Sequence, residues 1–133
     1  MAPRRSFFIR RSLGEGGSTN GPKSLLHMQK IFPSTNSSKQ DQVAIVIHGL
    51  NLNPDAMNPL ITELTSCEIT VVRLTLSGHG DDPRPLESVT ADTWINDLKD
   101  CYRFTREQYP NSLIQGIGFS LGAGVLLLSL IHI

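Results

Sequence analysis

The sequence predicts an α/β protein, a parallel sheet with flanking helices. Three observations carry this expectation. Two short runs, QVAIVIH at 42–48 and EITVVRLTL at 68–76, are rich in β-branched residues. A stretch of helical period spans about 91–109. From residue 41 onward, strand-like and helix-like segments alternate. Alternation of that kind builds βαβ units, whose parallel strands are covered by helices on both faces.

Each element has its own signal. QVAIVIH has no Pro or Gly inside it and reads as a strand buried on both faces. In GLNLNPDAMNPLITELT, Asn53 stands at an N-cap, Pro54 at the first helical position and Asp55 in the first turn, opening a helix to about Thr65. EITVVRLTL is the second strand, closed by the turn SGHGDDPRP; Asp81, Asp82 and Glu87 read as solvated carboxylates. Thr90 caps a helix from about Ala91 to Tyr109, with Trp94, Ile95, Leu98 and Tyr102 on one face and Asp92, Lys99 and Arg103 away from it. Pro110 and Asn111 break that helix, and SLIQGIGF from Ser112 is the third strand, followed by an apolar helix. Ligands of such sheets bind at the carboxyl ends of the strands. Three segments fall there: His48-Gly49-Leu50-Asn51, Gly78-His79-Gly80, and Gly118-Phe119-Ser120-Leu121-Gly122.

Length and composition set bounds. A chain of 133 residues, 39% apolar and 18% charged, is one ordinary globular domain. No apolar run, Val125 to Leu128 included, is long enough to span a bilayer. Residues 1–40 form a basic, Ser/Gly-rich leader expected to carry no structure, and residues 41–133 form the domain. The leader reads as a flexible tail, an organellar transit peptide or a stretch upstream of a true start at Met28, and the expected location is cytoplasmic unless it directs the chain to an organelle. Residues 1–30 hold six Lys/Arg against Glu15 alone, leaving six basic and eleven acidic groups in the remainder. An acidic body has no electrostatic reason to bind nucleic acid. Cys67 and Cys101 have neither metal-ligand nor redox spacing and read as two reduced, semi-buried thiols.

The segment GIGFSLGAG at 116–124 carries the chemistry. A serine between glycines, at the exit of a strand and the entrance of a helix, fits a tight nucleophile-bearing turn. The residues two before and two after must lack side chains for strand and helix to pass closely, and Gly118 and Gly122 meet that need. The helix N-terminus adds a positive dipole end and free N–H groups for a developing oxyanion.

From Gln42 to about Leu128 the chain resembles the first half of an α/β-hydrolase, most closely its serine esterase, lysophospholipase and monoacylglycerol-lipase-like members. HGLN, LSGHGDD and GFSLGAG carry the resemblance in order, with ADTWINDL between the last two. It implies Ser120 as the nucleophile and the backbone N–H groups of Leu121 and Leu50 as oxyanion donors. Leu50 and Asn51 stand where the HGGG variant of that loop has later glycines. It further implies a small ester substrate, acyl-glycerol-like or simpler, and neither metal nor organic cofactor, and it leaves oligomeric state open. The alternative is a non-catalytic α/β-hydrolase-like binding or regulatory module.

Attack by a serine hydroxyl requires a base and an acid that orients it. In this family order both follow the serine, histidine last. His132 lies on the helix after the turn, some three turns away; His48 is expected to brace the oxyanion loop, His79 to sit in a rim loop, and His27 belongs to the leader. The expectation is therefore a truncated reading frame, catalytic only in its full-length parent. The closing LSLIHI resembles translated sequencing-adapter sequence, which puts the end of authentic sequence near Leu127 or Leu128.

Overall fold

The β-branched runs become the centre of a five-stranded sheet. A computed structural model of the chain describes residues 4–12, 25–33, 41–80 and 82–132. Strand β1 is Arg4–Arg10, β2 Leu25–Ile31, β3 Gln42–Ile47, β4 Thr70–Leu74 and β5 Leu113–Gly118. Helix α1 is Asn58–Ser66, preceded by a 3-10 turn at Pro54–Met57; α2 is Ala91–Gln108 and α3 Leu121–His132. The sheet order is β1-β2-β4-β3-β5. The expected parallel core is present: β3 pairs in parallel with β4, Val43 opposite Thr70, and with β5, Val43 opposite Ile114.

The sheet extends further than the sequence suggested. Residues 4–10 and 25–31, expected to lack structure, form an antiparallel pair with Phe7 opposite Met28, and β2 joins β4 antiparallel with Met28 opposite Leu74. The sheet is therefore mixed. The physical reason is burial, since Leu26, Met28 and Ile31 are wholly buried, each worth about 1.5–3 kcal/mol when removed from water. Residues 1–3, 13–24 and 34–40 of that leader lie outside the described residues.

Helices cover both faces, as the alternation requires. On one, Ile45, Val72 and Leu74 pack against Leu98 and Cys101 of α2 and Val125 of α3. On the other, Ala44, Val46 and Val71 pack against Met57 and Ile61. The capping signals were accurate. Asn53 accepts the Asp55 N–H at 2.9 Å, and Thr90 forms a reciprocal capping box with Thr93. The stripe expected on α2 needs correction at one position: Tyr102 is exposed, and the buried face instead runs through Ile95, Leu98, Cys101 and Thr105 and takes in Asp97 and Asp100. Cys67 is exposed and Cys101 wholly buried, both free rather than alike; burial pushes the Cys101 thiol up to about 12, so it stays protonated.

Candidate active site

The turn after β5 is built by contact between backbones. A Cβ on Gly118 would lie 2.4 Å from the Gly122 carbonyl carbon, and one on Gly122 would lie 2.5 Å from the Ile47 oxygen. Both positions exclude any side chain, so the first turn of α3 rests directly on β5 and on the end of β3. Phe119 N–H donates to the Ile47 oxygen at 3.1 Å, fixing the turn to the central strand. Between the glycines, Ser120 has φ of +54° and is exposed. An L-residue other than Gly held in that left-handed region costs about 1–2 kcal/mol, a strain that locates a constraint. Leu121 opens α3, where first-turn N–H groups have no intrahelical acceptor.

The loop after β3 lies beside this turn. A Cβ on Gly49 would meet the Phe119 ring at 3.2 Å and its carbonyl oxygen at 3.3 Å, which places Gly49, the residue before Leu50, against the serine turn. His48 is buried, donates from Nδ1 to the Gly49 oxygen at 2.9 Å and accepts the Leu76 N–H at Nε2 at 3.1 Å. It braces the loop as expected. Burial, with the nearby His79 and Arg73, lowers its pKa against the raising effect of the Gly49 bond, which favours the neutral ring these bonds require.

The loop after β4 is the part that sequence reasoning misread. His79 is buried rather than at a rim; its Nε2 accepts the Asn51 N–H at 3.0 Å and its Nδ1 faces the Ser77 oxygen at 3.2 Å. The Asp82 side chain is withdrawn from water too, not solvated. It accepts the Gly78 N–H at 2.5 Å and sits 3.8 Å from Arg11 and 3.7 Å from Arg84. Asp81 lies outside the described residues. Behind this loop, Asp97 accepts the Ser77 N–H and hydroxyl at 2.8 and 2.6 Å and pairs with Arg11. Burial raises Asp97 to about 6, opposed by Arg11 and by the Ser77 bonds. Ser12 reaches the neighbouring Asp100 at 2.6 Å, so the N-terminal residues are pinned to α2. The available signal was two carboxylates in otherwise buried positions of a helix, which demand partners.

The histidines divide cleanly from the serine. Both ring nitrogens of His48 and of His79 are engaged with backbone groups, so neither ring is free to accept the Ser120 proton. Helix α3 runs unbroken from Leu121 to His132, setting His132 about 16 Å along the axis at ~1.5 Å per residue; its side chain lies outside the described residues. Among the described residues Ser120 has no side-chain hydrogen bond, and no cluster of three or more His, Cys, Asp or Glu could hold a metal ion. An apolar cavity of about 270 Å³, lined by Ile45, Leu98, Ile114 and Leu126, lies on the helix side of β5 and does not include Ser120.

A mixed sheet with a strained serine between strand and helix, flanked by a His-Gly loop, is the arrangement of the α/β-hydrolase fold. The model of the Hydrolase_4 family, described as serine aminopeptidase, S33, matches residues 38–132, and the chain belongs to that family. No curated protein matches its sequence. Solved structures with the same fold include the Xanthomonas campestris α/β serine hydrolase XC6422, described as lacking a lid, at 24% identity and TM-score 0.73, covering 98% of this chain and 57% of that one. The Pyrococcus furiosus esterase Pf2001 aligns at 24% identity and TM-score 0.75 over 97% of this chain and 46% of its own. A thermostable carboxyl esterase from Bacillus coagulans aligns at 16% identity and TM-score 0.75, over 97% and 40%. The chain thus spans about half the length of the structures it matches.

Proposed function

We propose that the whole protein is a serine hydrolase that cleaves carboxylic esters through an acyl-enzyme on Ser120. The observation that carries this reading is the φ of +54° at an exposed serine whose flanking glycines admit no side chain. Such a turn holds Oγ clear of its own backbone, where a substrate carbonyl can approach. Ser120 Oγ attacks that carbonyl, a base takes its proton, and the developing oxyanion is held by the N–H groups of Leu50 and Leu121. In both leucines the main chain acts. Half-exposed Leu50 and Phe119 flank the serine and offer an apolar wall suited to an acyl or alcohol group. The base and its orienting acid belong to the remainder of the protein, because His48 and His79 are committed elsewhere. That solved structures of the same fold include esterases is in keeping with an ester substrate.

The test is hydrolysis of p-nitrophenyl acetate by the whole protein and by Ser120→Ala. Loss of a nucleophile of this kind lowers kcat by about 10⁴–10⁶ with little change in KM. A variant that keeps most of its activity refutes the assignment. A wild type that binds such esters without turnover favours the non-catalytic module.

A further inference from the structure

We infer that His79 is a positioning residue for the oxyanion donor at Leu50, acting through the Asn51 amide; this rests on the reading of Leu50 given above. Leu50 is joined to its neighbours by two peptide planes. In the first, the Gly49 oxygen accepts from His48 Nδ1 at 2.9 Å and from the Leu52 N–H at 3.2 Å. Because the peptide is planar and trans, fixing that oxygen fixes the Leu50 N–H in the opposite direction. In the second plane, the Asn51 N–H is held by His79 Nε2 at 3.0 Å. Each plane flanking Leu50 therefore ends on one of two imidazoles whose centroids lie 4.8 Å apart.

The second hold has work to do. Asn51 has φ of +58°, an uncommon region for a residue with a side chain, and the loop surface at Leu50 and Asn51 is exposed. Without an anchor the chain would relax toward commoner angles and swing the Leu50 plane with it. His79 suits the task because its own geometry is fixed from behind. Its Nδ1 donates to the Ser77 oxygen, which leaves Nε2 with a lone pair. The Ser77 oxygen also accepts from Trp94 Nε1 at 3.0 Å, and Ser77 N–H and Oγ are held by Asp97. A line of bonds thus runs from Asp97 on α2 through Ser77 and His79 to Asn51, beside the donor.

Two measurements test this. In the whole protein, labelled with ¹⁵N, a scalar coupling across the N–H···N bond between Asn51 N and His79 Nε2 is expected, and its absence overturns the inference without any variant. In the whole protein, His79→Ala is expected to lower kcat for p-nitrophenyl acetate about tenfold, the scale of one lost hydrogen bond, with KM within about twofold. His79→Gln, whose Oε1 can accept the same N–H, recovers most of that loss. No loss in Ala, or an equal loss in Ala and Gln, contradicts a positioning role. Failure of the Ser120 assignment is separable, since it appears as retained activity in Ser120→Ala while the coupling is read independently of turnover.

Discussion

The serine turn and the cluster around Asp97 are both tightly built, but by opposite means. At the turn, two residues four apart, Gly118 and Gly122, create the geometry by lacking side chains. At the cluster, side chains from residues as far apart as Arg11 and Asp97 create it by meeting. The first arrangement is steric, so it tolerates almost no added atom. The second is electrostatic, so it tolerates the loss of no partner. Both converge on one loop, because Ser77 ties the cluster to His79 and His79 ties it to the segment beside Ser120.

Removing a charge from the cluster is expected to have the largest effect on stability. Asp97→Ala leaves the buried Arg11 guanidinium without its main counter-charge and should lower unfolding free energy by about 3–5 kcal/mol, read from denaturant midpoints. A loss below ~1 kcal/mol would place Arg11 in solvent.

Adding an atom to the turn comes next. Gly118→Ala and Gly122→Ala each press a methyl onto backbone within 2.5 Å and should cost about 3 kcal/mol. Gly124→Ala, two residues further into α3 with open space around its Cβ, should instead stabilise by up to about 1 kcal/mol. Equal effects at Gly122 and Gly124 would dissolve the steric account.

A smaller signature separates the cluster by pH. Burial raises Asp97 from its ordinary 3.8 to about 6, so its contribution to stability is fully present below pH ~4 and is lost as pH rises through about 6. Wild type should therefore lose stability relative to Asp97→Asn over that window. The opposing titration of His48 is common to both proteins and cancels in the difference. The smallest effect belongs to strain: Ser120→Gly removes the left-handed penalty and should raise stability by about 1 kcal/mol while abolishing any acylation.

The same contrast explains what the sequence disclosed. Strands β3, β4 and β5, the caps at Asn53 and Thr90 and the glycines around Ser120 were legible because each is decided within a few residues. The pairing of Arg11 with Asp97 was not, since no local pattern links positions 86 apart. Strand β2 stood between these cases: its buried residues Leu26 and Met28 alternate as a strand should, but they lie beside Gly/Ser-rich composition of the kind expected in a tail. His79 was visible as a loop histidine, and only the fold shows that its partner is Asn51.

The central claim is that Ser120 is the reacting group, and the most direct measurement is to treat the whole protein with a fluorophosphonate and map the modified residue by peptide mass spectrometry. A single adduct is expected on the peptide containing Gly118 to Gly122, borne by Ser120 and absent in Ser120→Ala. An adduct on another residue, or a catalytically active protein that takes up no label at Ser120, would contradict it.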